Sequence, residues 1–186
     1  MLAGSLIGDQ LAGQAFTASF PVTVTANVNE SLSCGLSTGE ITFGTVTSNG
    51  TRYATPDSGS DAEVSAHTLQ VATNAQAGYL VSIVGPTPTA NGHAINPIGA
   101  IPLGPTPGSE QYGLRSTAEG GSGSVYYPFN TSQYAYHANE SAQLFAQAPA
   151  PSGTTNYTVY YMSNVSPDTV AGTYVAEEIY SCNAAF

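Results

Sequence analysis

Lysine and tryptophan are absent from this 186-residue chain, and the only basic side chains besides three histidines are Arg52 and Arg115. Charged residues make up 8% of the sequence, against roughly 25% in an ordinary globular domain. The 12 acidic residues give a net charge of -10, so the chain has no basic surface with which to neutralise phosphates. The composition therefore argues against nucleic acid and against an anionic membrane surface as partners.

Long apolar runs are also missing. A membrane-spanning helix needs about 20 consecutive apolar residues, and the apolar runs here are only a few residues long, so we predict no membrane span. Hydrophobic residues nevertheless make up 41% of the chain, which argues against intrinsic disorder. The length suits one domain with a substantial core.

Recognisable catalytic motifs are the third absence. His67, His93 and His137 are scattered, and the sequence contains no Gly-x-Ser-x-Gly or His-Glu-x-x-His motif. We therefore expect that the protein is not an enzyme. A hydrolase on a β-sandwich stays open as an alternative, because Ser, His and Asp of a triad are remote in sequence.

What the sequence does contain is alternation of apolar and polar residues, which predicts β-strands. The longest alternating run is Phe16–Val28, and Pro21 within it suits an edge or a junction. Gly85–Pro107, with six prolines, is predicted to be a long irregular excursion or an edge, and Ser116–Ser124 is predicted to be a Gly/Ser loop. Further predicted strands are Ile41–Val46, His67–Thr73, Tyr79–Val84, Gln111–Arg115, Val125–Phe129, Gln143–Gln147, Asn156–Met162 and Tyr174–Cys182. Short strands punctuated by Gly and Pro predict an all-β fold, a single antiparallel β-sandwich of jelly-roll or immunoglobulin-like type.

Two cysteines, Cys34 and Cys182, lie near opposite ends of the sequence. An even count in a lysine-free, apparently secreted chain favours one disulfide, and two buried thiols are the alternative. Six Asn-x-Ser/Thr motifs suggest covalent N-glycans on an exported, extracellular protein. Their acceptors are Asn29, Asn49, Asn130, Asn139, Asn156 and Asn164.

Two groups of polar residues are candidates for binding. Asp57, Asp61 and Glu63 lie in one Ser-rich turn and offer the oxygen ligands that Ca²⁺ prefers, although a solvated acidic loop is the commoner explanation. The tyrosines at 126, 127, 134, 136, 157, 160, 161, 174 and 180 offer ring faces for sugar binding, but such residues more often fill cores and interfaces. Glu177 and Glu178 are interpreted as surface charge.

Several segments resemble small secreted β-sandwich filament subunits, the group that includes camelysin/TasA-like biofilm fibre proteins and archaeal bundling pilins. The resemblance is carried by Phe20–Val28, Gly39–Val46, Val71–Ile83 and Ala171–Val175. It implies a homopolymeric filament at the cell surface, in which subunits complete each other's sheets by donor-strand exchange.

Physical reasoning supports such assembly independently, because an extended terminus with alternating apolar residues can add to an open sheet edge. Donor and acceptor are different surfaces, so the contact propagates into a fibre. We predict an N-terminal arm, residues 1–20, as the donor strand and residues 21–186 as the β-sandwich domain. The arm's anchors would be Leu2, Leu6, Ile7, Leu11 and Phe16. An arm that folds onto its own domain is the alternative.

The predicted function is thus a structural subunit of an extracellular filament or pilus, serving adhesion, cell contact or biofilm matrix. No cofactor is expected beyond a weakly indicated Ca²⁺. A monomeric carbohydrate-binding or adhesin module, calcium-dependent if the acidic turn binds the ion, is the alternative function.

Overall fold

The computed structural model describes residues 19–138 and 141–186, and within these ranges the chain forms thirteen β-strands and no helix. Every pairing between these strands is antiparallel, which confirms the predicted all-β fold. The strands are β1 (Leu32–Leu36), β2 (Arg52–Tyr53), β3 (His67–Thr73), β4 (Tyr79–Val84), β5 (Thr89–Ala90), β6 (His93–Ala94), β7 (Gly99–Leu103), β8 (Gln111–Gly120), β9 (Ser124–Val125), β10 (Tyr134–Tyr136), β11 (Gln143–Ala148), β12 (Ser152–Asn164) and β13 (Ile179–Ala184).

The strands form two main sheets that pack against each other as a β-sandwich. The larger sheet has the order β1-β3-β12-β8-β10-β7, with β2 also pairing with β12, and the smaller has the order β13-β4-β11-β9. Strands β5 and β6 form a separate pair. The edge strands β1 and β13 lie on the same side of the sandwich, because a disulfide joins them.

Alternation explains how the core forms. In β3 the residues Leu69 and Val71 are buried while Gln70 is exposed, and β4 buries Val81 and Ile83 but exposes Leu80. Because side chains of a strand point alternately to its two faces, each sheet presents one apolar face to the other. Aromatic rings complete the core, notably Phe129, Tyr136, Phe145 and Tyr157, all fully buried.

The central strands are longer than the sequence pattern predicts. Residues Thr155–Asn164 of β12 pair in continuous register with the whole of β8. The predicted Gly/Ser loop at Ser116–Ser124 is therefore wrong over its first half, because β8 continues to Gly120. Hydrogen bonding to a long partner strand outweighs the weak strand preference of Ser, Thr and Gly at these positions.

Three predicted strands are shorter or missing in the structure. Residues 41–46 contribute only an isolated bridge from Thr42 to Thr55, and the strand predicted over Tyr174–Cys182 begins at Ile179. Of the strand predicted over Val125–Phe129, only Val125 lies in a strand, β9. A strand exists only where a neighbouring strand accepts its hydrogen bonds, and this cannot be read from local alternation.

The alternating run Phe16–Val28 also differs from the prediction. Residues 19–28 are outside any strand, and the first strand of the sandwich begins at Leu32. The predicted donor anchors Leu2, Leu6, Ile7, Leu11 and Phe16 lie outside the described residues.

The disulfide between Cys34 and Cys182 is present, so both cysteines are bonded within one subunit and the alternative of two thiols is wrong. It joins β1, at the edge of the larger sheet, to β13, at the edge of the smaller one. The two sheets are thus covalently linked on one open side of the sandwich.

Candidate functional site

The most unusual feature of the surface is an exposed apolar segment, residues 19–28, which we call the exposed segment. Its large side chains Phe20, Val22, Val24 and Val28 are each between 83% and 87% exposed. Within the described part of the chain, the segment makes no hydrogen bond to the domain. Single apolar residues on a surface are ordinary, whereas a contiguous exposed row of apolar side chains is less common.

The base of this segment is held firmly to the domain. The Asn74 amide donates through Nδ2 to the carbonyl oxygen of Asn29 at 2.7 Å and accepts from the Ser31 N–H at 2.8 Å. The Thr73 hydroxyl donates to the carbonyl oxygen of Ser31 at 2.8 Å. These bonds fix the point at which the exposed segment leaves the edge of the larger sheet.

A large groove opens on the sandwich near the end of β1. We call it the Glu178 groove; its volume is about 1060 Å³ and its walls are two irregular segments, residues 38–48 and 165–177. The first wall is connected by the bridge from Thr42 to Thr55, and the second by the bridge from Val175 to Thr89. Because these bridges are isolated, the walls are not part of a continuous sheet.

The apolar lining of the groove is supplied by both walls and by the core. Ile41, Phe43 and Val46 line it from the first wall, and Val165 and Val175 from the second. The groove reaches between the two sheets, since the core residue Ile95 also lines it. A groove of this composition suits an apolar strand or a ligand with apolar faces.

The floor of the groove holds a carboxylate surrounded by phenol groups. The Tyr112 hydroxyl donates to Oε1 of Glu178 at 2.6 Å, and the Tyr161 hydroxyl donates to Oε2 at 2.7 Å. The hydroxyls of Tyr161 and Tyr180 lie 2.8 Å apart. Burial raises the pKa of Glu178 above its ordinary value, although the hydrogen bonds from Tyr112, Tyr161 and Tyr136 favour the charged form and oppose this shift.

His67 and Ser163 add unpaired polar atoms to the groove lining. The His67 ring is packed against Tyr161 and Tyr180, with centroid distances of 5.6 and 5.5 Å. Its Nδ1 and the Ser163 Oγ are buried and have no hydrogen-bond partner within the described chain. Burial lowers the pKa of His67 to about 4, so the imidazole is neutral at physiological pH.

Glu178 shows where sequence reasoning failed. The prediction of surface charge holds for Glu177, which is exposed, but is wrong for Glu178, which lies in the groove. Alternation contained the signal, because Glu178 has the same parity as Tyr180 and Cys182, which face the other sheet. Tyr112, which was absent from the predicted tyrosine group, contributes a hydroxyl to the same floor.

The tyrosines themselves mostly fill the core, as predicted. Tyr134, Tyr136, Tyr157 and Tyr161 are buried, whereas Tyr127 is 61% exposed. No exposed platform of stacked rings forms from the predicted group within the described residues.

The candidate calcium ligands Asp57, Asp61 and Glu63 do not converge. The Arg52 guanidinium donates to Asp61 at 2.6 Å, while Glu63 forms an ion pair with Arg115. Over the described ranges, no group of three His, Cys, Asp or Glu side chains is placed to hold a metal ion. The geometry therefore gives the calcium prediction no support.

The six candidate glycosylation sites differ in accessibility. Asn29, Asn49 and Asn130 are exposed, Asn156 is half-buried and Asn139 lies outside the described residues. Asn164 is fully buried, and its side-chain amide lies 2.7 Å from the Gln111 side-chain oxygen. A glycan on Asn164 is incompatible with the folded domain, which corrects that part of the prediction.

None of the described residues belongs to a helix that is long and apolar enough to cross a membrane. Comparisons of the chain with protein-family models, with curated proteins and with solved structures find no match.

Proposed function

We propose that this chain is the structural subunit of an extracellular filament, in which the N-terminal part of one subunit completes the β-sandwich of the next. The observation that carries the proposal is the row Phe20, Val22, Val24 and Val28, which alternates like a strand yet stays largely exposed in the described part of the chain. Binding to a neighbouring subunit would remove this apolar surface from water.

The Glu178 groove supports the same proposal from the acceptor side. An extended strand from Phe20 to Val28 spans about 30 Å, which is enough to cross an acceptor groove of the size seen here. Inserted between the two walls, it would pair with their free backbone groups and place apolar side chains against Ile41, Phe43 and Val165. The donor and the groove are different surfaces of each subunit, so the contact continues into a fibre.

The predicted donor residues Leu2, Leu6, Ile7, Leu11 and Phe16 precede this segment and stay candidates for the same strand. We therefore propose a donor that extends from them through Val28, rather than one that ends at residue 20. The disulfide suits an oxidising, extracellular compartment. Adhesion, cell contact and biofilm matrix are the roles such a filament would serve.

The test is to place charge on the apolar face of the exposed segment and compare filament formation by electron microscopy. Val22→Asp with Val24→Asp is expected to abolish filaments, because two carboxylates would be buried without partners in the groove. Thr23→Asp with Thr25→Asp, on the opposite face of the same strand, is the matched control and is expected to leave filaments intact.

The fold of each variant must be checked separately. Val22 and Val24 are exposed in the single subunit, so both double variants are expected to keep the wild-type melting temperature when they are unassembled. Filaments of normal abundance from Val22→Asp with Val24→Asp would contradict the proposal, as would a wild-type protein that stays monomeric.

A second candidate function, saccharide binding, is favoured by the half-buried Tyr180 ring and the Glu178 carboxylate, which line the same groove. Sugar hydroxyls would hydrogen-bond to Glu178, and a sugar face would stack on Tyr180. Glycan binding by the monomeric Val22→Asp with Val24→Asp variant, lost in Tyr180→Ala, would support this function.

A further inference from the structure

Glu178 is a carboxylate without a cation. Both arginines are engaged elsewhere, Arg52 with Asp61 and Arg115 with Glu63, and the sequence contains no lysine. The groups that face Glu178 are phenols from four strands: Tyr112 of β8, Tyr136 of β10, Tyr161 of β12 and Tyr180 of β13. His67 of β3 lies behind Tyr161 and Tyr180 and is neutral above about pH 4.

In the open groove, part of the Glu178 residue stays accessible to water. Glu178 is only partly buried by its own subunit, and it lines the cavity. An apolar strand laid over the floor would remove that water, and the exposed segment offers no cation in return, since residues 1–28 contain no Lys, Arg or His side chain. A carboxylate that loses water and gains no positive charge is strongly disfavoured relative to its protonated form.

The hydrogen-bond network can accept the extra proton without losing a partner. Once protonated, Oε2 of Glu178 can donate to the Tyr161 hydroxyl, which then donates to the Tyr180 hydroxyl 2.8 Å away. Tyr112 continues to donate to Oε1. Both protonation states are therefore satisfied, because a phenol hydroxyl is both donor and acceptor.

We propose that seating of a neighbouring subunit's segment in the Glu178 groove takes up a proton on Glu178, so that filament assembly strengthens as the pH falls. This inference rests on the proposed function and names its regulation.

The direction of this pH dependence follows from the linkage between subunit binding and protonation of Glu178. Burial already raises the pKa of Glu178 in the open groove, and covering the groove raises it further, so the assembled state binds more protons. Between the two pKa values, the affinity of the contact rises by up to about tenfold for each unit by which the pH falls. Above the pKa of the covered state, both states keep Glu178 charged, so the affinity is at its lowest and no longer changes with pH through this residue.

The experiment measures the critical concentration of the full chain by sedimentation between about pH 5 and pH 8, at constant ionic strength. For the wild type it is expected to fall toward acidic pH. Glu178→Gln, which mimics the protonated acid, is expected to assemble at a low critical concentration at every pH. Glu119→Gln removes the same charge from an exposed residue of β8 that does not line the groove, and it is expected to keep the wild-type pH dependence.

Proton uptake gives a readout that does not depend on a variant. In weakly buffered solution, wild-type assembly in this pH range is expected to consume up to about one proton per subunit. No uptake by the wild type, or a Glu178→Gln variant with the wild-type pH profile, would overturn the inference while leaving the filament proposal intact. A wild-type chain that forms no filaments at any pH would overturn both.

Discussion

His67 is a buried, neutral imidazole between two tyrosine rings. It is only 7% exposed, and burial lowers its pKa to about 4, below the ordinary value of 6.5. Between these two values the unfolded chain binds a proton on this residue and the folded chain does not. Stability from this group is therefore present above about pH 6.5 and is lost as the pH falls toward 4.

We predict that His67→Phe removes this part of the pH dependence. The phenyl ring keeps the packing against Tyr161 and Tyr180 and cannot titrate. Between pH 7 and about pH 4.5 the wild type should lose about 2 kcal/mol of unfolding free energy through His67, and the variant should lack this loss. Urea denaturation of the unassembled subunits at both pH values measures the difference, and equal losses in both proteins would contradict the assignment.

Individual residues differed in how far their environment could be predicted. The pairing of Cys34 with Cys182 followed from composition, since each of two cysteines has only the other as a partner within the chain. The burial of Asn164 and Glu178 did not, because each depends on a neighbour remote in sequence, Gln111 for the first and Tyr112 for the second. A polar residue is buried where a residue remote in sequence forms a hydrogen bond with it, and a short sequence motif does not reveal that partner.

Strand β1 is the most weakly embedded element of the larger sheet. All five of its residues are exposed, and it pairs only with β3. Its apolar residues Leu32 and Leu36 stay 38% and 45% exposed, so side-chain packing contributes little to holding β1 in place. The strand is held mainly by its backbone hydrogen bonds to β3 and by the disulfide. Edge strands of this kind open first when a constraint is removed.

We predict that Cys34→Ala with Cys182→Ala loosens β1 and β13 before the rest of the domain. Closing a loop over a sequence separation of 148 residues stabilises the fold by about 5 kcal/mol in the chain-entropy model. Thermal unfolding of the double variant should show a loss of that order. Amide hydrogen exchange should rise in β1 and β13, while the centre of β12, paired on both sides, stays protected. Uniform exchange across the domain would contradict the local role.

Strands were predicted correctly where a segment of alternating apolar and polar residues also has a neighbouring strand with which it pairs. The strand predicted over His67–Thr73 has the bounds of β3, and the one predicted over Tyr79–Val84 has the bounds of β4. Residues 41–46 alternate in the same way but face the open groove, where the described residues of the subunit supply no neighbouring strand. Their irregular backbone is a consequence of topology rather than of propensity.

The subunit as a whole carries a net charge of -10 with few positive charges to offset it. Two identical subunits therefore repel each other, and this repulsion opposes any assembly driven by apolar contact. Salt screens exposed charges over a Debye length of about 10 Å at 0.1 M, so it should weaken the repulsion more than the apolar contact.

We predict that the critical concentration for filament assembly falls as NaCl is raised from about 10 mM to about 200 mM at constant pH. Asp57→Asn with Glu119→Gln removes two exposed carboxylates that form no ion pair, and it should show a weaker salt dependence. Sedimentation measures both. A critical concentration that rises with salt would indicate attractive ion pairs across the interface instead.

The sequence by itself determined the all-β class, the scarcity of positive charge, the disulfide and the amphipathic pattern of the strands. Composition and alternation are properties of the chain alone, and any fold must bury one face of such strands. Tertiary structure decided which alternating segments became strands and which, like residues 20–28, were left without a partner. It also decided that Glu178 lies among phenols and away from both arginines, because only packing of the two sheets brings β8, β12 and β13 together around one carboxylate.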